Sequence, residues 1–214
     1  MTRKGKSKRR KAVRLRNKKL IARYPWIRPV GWHFERLKTY DFTMYDDVPK
    51  GWKRAFGKLM LEEYRDVLIR HGILDDFQWV QVKEKYGTLR LYSNAAPKEV
   101  LELEQKYDYM SGFFCISCGR MNSPVLTNGW VEPLCKDCYN KRIATQRRWH
   151  EKKHKDQNYT YSSYDELKKE NQEIRMTAKY RSYSSEQGFY EKEYDYSDTI
   201  KKIMVRQKLI FKET

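Results

Sequence analysis

Apolar residues between positions 50 and 71 recur at the spacing of one helix face, and charged residues occupy the opposite face. The apolar positions are Trp52, Phe56, Leu59, Tyr64, Val67 and Leu68. Pro49 stands at the entry of the segment and Gly72 just after its end, an arrangement that favours a helix between them. The pattern predicts an amphipathic helix over residues 50–71 that packs on a core.

Two further elements are predicted in the same part of the chain. In residues 77–92, apolar and polar residues alternate on both sides of the glycine turn "EKYGT", which predicts a β-hairpin. After Pro97, apolar residues return at steps of three and four and predict a second helix. Its apolar positions are Val100, Leu103, Tyr107 and Met110. Together these elements predict a small α+β body over residues 23–111.

The cysteines form two C-x2-C pairs separated by sixteen residues, and they are Cys115, Cys118, Cys135 and Cys138. This spacing is typical of a zinc site rather than of disulfides, and it implies a reducing compartment. Gly119 follows the first pair, an Asn-Gly turn separates the pairs, and the second pair opens a helix predicted to reach about residue 155. The order predicts a treble-clef or zinc-ribbon module over residues 112–142. It would hold one structural Zn²⁺, because four thiolates leave no open coordination position.

Composition and charge change the picture on both sides of this body. Hydrophobic residues make up 39% of the 214 positions and mean hydropathy is −0.98, so part of the chain is expected outside the core. Residues 1–34 hold 13 lysines and arginines and no acid, residues 141–158 carry a net +5, and together they account for the net charge of +18. We expect residues 1–22 to form a basic arm that is disordered until it meets a partner.

Basic blocks attached to a neutral body are typical of proteins that bind a polyanion, most often nucleic acid. The residues of the arm predicted to contact nucleic acid are Arg3, Lys4, Lys6, Lys8, Arg9, Arg10, Lys11, Arg14, Arg16, Lys18 and Lys19. Those of the basic helix are Arg147, Arg148, Lys152, Lys153 and Lys155, with Trp149 stacking or packing among them. No run of about 18 apolar residues exists, so no membrane span is predicted.

Residues 143–214 continue the basic helix into a tyrosine-rich extension. Helices are predicted over residues 164–181 and 197–211, the second capped by Ser197 or Asp198, with a loop between the two helices. The tyrosines suit either base stacking or packing on the body or on a partner protein.

Four segments resemble a family of small proteins that are encoded by bacteriophages and prophages, often of Gram-positive hosts, and that have no assigned activity. The segments are "VPKGWKRAFGKLMLEE", "WVQVKEKYGTLRLY", "YDYMSGFFCISCGR" and "NGWVEPLCKDC". They are similar to the family's G-W-x-x-x-F-G helix, V-K-E-K-[YF]-G-x-L-R hairpin and C-x2-C-G…G-W…C-x2-C ending, over about residues 23–140. The resemblance implies a zinc site on the four cysteines and a place in the cytoplasm of a bacterial host.

The chain also contains H-E-x-x-H at His150, Glu151 and His154, which is the helix motif of zinc peptidases. Lysines fill both variable positions and further cations flank the motif, and this charge disfavours a bound divalent ion. A treble clef can also frame a metal-dependent nuclease, but no histidine lies between Cys118 and Cys135 to activate water. A peptidase or nuclease is therefore a minor alternative, and we expect no enzyme activity.

The sequence thus predicts a non-catalytic zinc protein that binds nucleic acid or a ribonucleoprotein through its arm and basic helix. The alternative is a protein-binding inhibitor of a host nuclease or defence complex, such as a CRISPR effector, with the tyrosine-rich extension as contact surface. The identity of the partner, the choice of DNA or RNA and the oligomeric state are not indicated by any pattern in the sequence.

Overall fold

The computed structural model describes residues 3–94, 96–126, 131–153, 158–177, 181–184 and 188–191, together with residues 199 and 203. The helices are α1 (Arg3–Arg23), α2 (Lys50–Trp52), α3 (Lys58–Arg70), α4 (Lys98–Ser111), α5 (Lys136–Lys153) and α6 (Tyr164–Thr177). Three antiparallel hairpins pair β1 (Trp79–Lys85) with β2 (Thr88–Ser93), β3 (Val125–Leu126) with β4 (Glu132–Pro133), and β5 (Arg181–Ser184) with β6 (Gly188–Glu191). The α+β class is confirmed.

The core of the body lies between α3, α4 and the β1–β2 hairpin, as the periodicity predicts. A π-helical segment, Lys53–Gly57, joins α2 to α3, so the helix predicted over residues 50–71 is one continuous element. Side chains buried in this core include Trp52, Phe56, Met60, Tyr64, Leu68, Leu89, Val100, Tyr107 and Met110. The hairpin contributes Val82 and Leu91, which are cross-strand partners and both buried.

Aromatic residues ahead of α2 divide between the core and solvent. Trp26 and Ile27 belong to a 3-10 turn, Pro25–Ile27, and both are fully buried, so this segment packs on the core. Trp32 and Phe34, a few residues later, are 90% and 65% exposed.

The basic arm is ordered, contrary to the expectation of disorder. Residues Arg3–Arg23 form α1, and Asn17 and Ile21 on its inner side are buried. The Asn17 side-chain amide donates to the carbonyl oxygen of Tyr40 at 2.9 Å, and Ile21 joins the core of the body. The inner positions Val13, Asn17 and Ile21 recur every four residues, a pattern that is weak beside the surrounding cations.

The tyrosine-rich extension starts as predicted and then differs. Helix α6 begins at Tyr164, but the loop expected after residue 181 is partly a hairpin, since β5 pairs with β6. Tyr183 stands between two serines in β5, and β6 contains Phe189 and Tyr190, so both strands carry aromatic residues that favour β-structure. The helix predicted over residues 197–211 and its cap lie outside the described residues, except residues 199 and 203. None of the helices in the described ranges has the length and apolar character needed to cross a bilayer.

Candidate metal centre and basic surfaces

The four cysteines converge on one point, as their spacing predicts. Their sulfur atoms all lie within 4.8 Å of one another, and the sulfurs of Cys118 and Cys135 are 3.6 Å apart. A tetrahedral zinc ion with Zn–S bonds of about 2.3 Å would separate its ligands by roughly 3.8 Å. Within the described residues this is the one group of His, Cys, Asp or Glu side chains placed to hold a metal ion. The spacing of the sulfurs therefore fits a single structural ion.

A tight turn presents the first cysteine pair. The Gly119 N–H donates to the Cys115 carbonyl at 2.8 Å, and the Cys115 N–H donates to the Arg120 carbonyl at 2.8 Å. Gly119 has φ +83°, a conformation that glycine adopts without steric cost. Backbone N–H groups of Ser117 and Cys118 face the Cys115 sulfur. Such N–H···S contacts stabilise thiolates and orient them toward a metal.

The electrostatics of the sulfurs are those of a cation site. Burial would raise the pKa of Cys115, but the backbone N–H groups around its sulfur lower that pKa below its ordinary value. Burial, and then the negative charge of Cys115, raise the pKa of Cys118 to about 11. Burial and the same charge also raise the pKa of Cys138. Several thiolates at this spacing repel one another, and a bound divalent cation removes that repulsion.

The second cysteine pair opens helix α5, which packs against α6. Cys135 immediately precedes the helix and Cys138 lies in its first turn. A second apolar cluster surrounds the sulfurs and contains Leu126, Leu134, Tyr139, Ile143, Tyr164 and Leu167. The Tyr139 hydroxyl donates to the Ser162 carbonyl at 2.7 Å, and the Tyr164 hydroxyl lies 3.3 Å from the Leu134 carbonyl that accepts from it. The first residue of α6 is therefore part of the metal module.

The first cysteine pair is also joined to the body, at helix α2. The Gly51 N–H donates to the Ile116 carbonyl at 2.8 Å, and the Trp52 indole N–H donates to the Phe114 carbonyl at 2.9 Å. A Cβ atom on Gly51 would overlap the carbonyl oxygen of Cys115, so only glycine admits this approach. The Gly-Trp dipeptide thus holds the cysteine turn on the body.

Arginines supply the ion pairs that join α1 to the body in the described part of the chain. Arg10 and Arg14 pair with Asp41, Arg16 pairs with Asp46 at 2.9 Å, and Arg23 pairs with Glu62 at 2.9 Å. Five other residues of the arm that are predicted to contact nucleic acid are exposed and have no ion pair in the described part of the chain. They are Lys8, Arg9, Lys11, Lys18 and Lys19. Arg3, Lys4 and Lys6 lie in the first two turns of the same helix.

The predicted cations of α5 lie near its C-terminal end. Arg147, Arg148, Lys152 and Lys153 are exposed, whereas Lys155 lies outside the described residues. A groove of about 820 Å³ separates α5 from residues 161–166, and both arginines line it.

The first histidine of the H-E-x-x-H motif contacts tyrosines. The His150 ring stacks on Tyr159 with ring centroids 3.6 Å apart, and its Nδ1 is hydrogen-bonded to the Tyr161 hydroxyl. Glu151 is exposed, and the second histidine, His154, lies outside the described residues. The contact of His150 with these tyrosines is not predicted by the H-E-x-x-H motif, although the Tyr-x-Tyr spacing of residues 159–161 is visible in the chain.

Comparisons of the chain with protein-family models, with curated proteins and with solved structures found no match. The function of the protein is therefore inferred from its own residues and their arrangement.

Proposed function

We propose that this protein binds nucleic acid or a ribonucleoprotein without catalysis, through α1 and the C-terminal half of α5. The metal site has a structural role in this proposal, because its four thiolates fill a tetrahedral coordination sphere and fix the start of α5. The ion is zinc, and the order of cysteine turn, short hairpin and helix bearing the second pair is that of a treble clef. The remaining body carries no net charge, so the two basic helices dominate the field that a polyanion meets.

The observation that supports this proposal most directly is the row of lysines on α1. The arginines that pair with body carboxylates fix the helix in place. Helical geometry places Lys8 and Lys19 on the side opposite to Asn17 and Lys11 and Lys18 on the adjacent flank, so the four lysines share the outward half of the helix. Exposed ammonium groups in a row along an ordered helix are suited to contact successive phosphates, and they have already been positioned by folding.

The test measures how binding depends on salt. Fluorescence anisotropy of a labelled DNA duplex, titrated with the full chain at several salt concentrations, gives the slope of log K against log salt. Each lysine that contacts a phosphate contributes about −0.9 to that slope on duplex DNA. We expect the slope to become shallower when the lysine row is changed to glutamine, and the duplex to remain intact when Mg²⁺ is present.

A matched control removes the same charge from the neutral body. The control variant changes four exposed lysines to glutamine: Lys50, Lys58, Lys85 and Lys98. It should bind with the slope of the unchanged protein. Absence of binding at low salt, or an equal loss in both variants, would refute a role for the lysine row.

Binding to a protein is a second candidate function, and it rests on the exposed turn around Trp32. The turn is held by the Gly31 N–H, which donates to the Glu35 carbonyl at 2.8 Å, and by the His33 N–H, which donates to the Glu35 carboxylate at 3.0 Å. Phe34 has φ +62°, an uncommon conformation for a residue with a side chain. An exposed tryptophan on an ordered turn is suited to be an interface anchor.

The second candidate is tested by a pull-down from nuclease-treated lysate of a bacterial host. We expect a stoichiometric protein to be retained by the unchanged chain and lost with Trp32→Ala, while the lysine-row variant still retains it. Retention that depends only on the lysines would indicate residual nucleic acid instead.

A further inference from the structure

Four aromatic rings stand together at the C-terminal end of α5 and just beyond it. The His150 ring lies 3.6 Å from the Tyr159 ring at an interplanar angle of 19° and 5.9 Å from the Tyr161 ring at 24°. Trp149 lies 5.0 Å from His150 on the helix. The group formed by Trp149, His150, Tyr159 and Tyr161 is called the aromatic cluster below.

The aromatic cluster keeps two of its rings at the surface. Trp149 is 52% exposed and Tyr159 is 41% exposed, although one face of the Tyr159 ring lies on His150. Exposure of a large aromatic side chain to water is unfavourable, and covering it lowers the free energy. These exposed areas are therefore suited to contact a ligand with a flat apolar face.

Cations surround the aromatic cluster on the same stretch of helix. Exposed Arg147 and Arg148 precede Trp149, and exposed Lys152 and Lys153 follow His150 on the helix. The Arg147 guanidinium lies over the Tyr161 ring at 5.3 Å, and Tyr161 also lines the 820 Å³ groove between α5 and residues 161–166. The groove and the aromatic cluster are therefore parts of one surface.

We infer that this surface binds an unpaired nucleic-acid strand, a conclusion that rests on the proposed function and narrows its ligand. Trp149 and Tyr159 stack on bases, while the arginines and lysines around them hold the phosphates. Paired bases inside a duplex have their faces covered by their neighbours, so exposed rings favour unpaired bases. Lysine is depleted at protein–protein interfaces, whereas Lys152 and Lys153 lie exposed on the helix that carries two of these rings.

The test compares binding of a labelled single strand and of the duplex of the same sequence, with DNA and RNA versions of the strand. Trp149→Ala and Tyr159→Ala are introduced into the full chain, and zinc content and circular dichroism verify the fold. Stacking of a base on an aromatic ring corresponds to roughly a 5- to 150-fold loss of affinity when the ring is removed. We expect that loss for the single strand and less than about a twofold change for the duplex, whose contacts are to phosphates.

Two controls separate this inference from the proposed function. The salt slope should stay constant in both alanine variants, because no cation is removed, whereas Arg147→Gln with Arg148→Gln should make it shallower. Unchanged single-strand binding in Trp149→Ala and Tyr159→Ala, together with salt-dependent duplex binding, would overturn the inference and leave the proposed function standing. If neither the single strand nor the duplex binds at low salt, both this inference and the proposed function are overturned.

Discussion

The carbonyl oxygen of Gly51, in α2, lies 2.5 Å from the position that a Cβ atom on Gly119 would occupy in the first cysteine turn. The two segments therefore meet backbone against backbone, with no side chain between them. The hydrogen bond from the Gly51 N–H to the Ile116 carbonyl, 2.8 Å long, lies in the same contact. Because the cysteine turn is bonded to the body helix in this way, metal binding should be coupled to the stability of the body as well as of the module.

Replacement of Gly119 by alanine should destabilise the protein for two separate reasons. The φ of +83° costs a residue with a Cβ about 1–2 kcal/mol. The overlap with Gly51 adds to this cost. Gly72→Ala is the matched control, because Gly72 has φ +67° and its Cβ would meet nothing within 4 Å. We expect urea unfolding with zinc present to show a clearly larger loss for Gly119→Ala, and equal losses would contradict the close contact.

The purified protein should contain one zinc ion per chain, held by the four cysteines. Cys118→Ser and Cys138→Ser should each lose the metal, and a chelator should remove protection from hydrogen exchange in α5 and α6, whose apolar side chains pack around the sulfurs. Metal analysis by mass spectrometry and hydrogen exchange measure these effects. Glu151→Gln should keep the single ion. Two ions per chain, with proteolysis that requires Glu151, would support the peptidase alternative instead.

Replacement of Glu104 by glutamine should stabilise the protein at alkaline pH. Burial raises the pKa of Glu104 from its ordinary value of 4.5 to about 7, while the Ser93 hydroxyl donates to its carboxylate at 2.6 Å. The folded state therefore binds more protons than the unfolded state between these two pH values. Its stability falls as pH rises through that window and stays reduced above it. Glutamine keeps an acceptor for Ser93 without the charge.

Urea unfolding at two pH values tests this prediction. We expect Glu104→Gln to raise the free energy of unfolding by about 1–3 kcal/mol at pH 8 and to change it little at pH 4. Glu99→Gln in the same helix is the control. Hydrogen bonds from His71 and Arg70 lower the pKa of Glu99, so its removal should give no gain at pH 8. A gain for Glu104→Gln that is equal at both pH values would argue against a buried charge.

The docking of α1 should depend on one apolar residue near its end. Ile21 is 3% exposed and belongs to the core, whereas Leu15 on the same helix is 58% exposed. Ile21→Ala should lower the free energy of unfolding by about 2–4 kcal/mol, and Leu15→Ala by less than about 0.5 kcal/mol. Chemical denaturation measures both. Equal and small effects would mean that α1 is not packed on the body.

Elements with a strong local pattern could be predicted from the chain alone. The apolar stripe of residues 50–71 predicts the body helix, and the alternation around "EKYGT" predicts the β1–β2 hairpin. Both predictions are possible because a hydrophobic period of 3.6 residues or of 2 residues is apparent within a short stretch of sequence. The four cysteines likewise have the spacing and the thiolate chemistry of a metal site, and their sulfurs do meet.

Features that depend on distant partners were decided by the tertiary structure. The basic composition of residues 1–22 predicts a disordered arm. However, α1 is ordered, because Asn17 donates a hydrogen bond to the Tyr40 carbonyl and Ile21 packs in the core. Similarly, Trp26 is buried because it packs against the core of the body, whereas Trp32 is exposed. No local sequence pattern distinguishes these two tryptophans. The H-E-x-x-H motif of residues 150–154 matches a peptidase by spacing. The folded chain instead surrounds its first histidine with tyrosines, because residues 158–161 come back against α5.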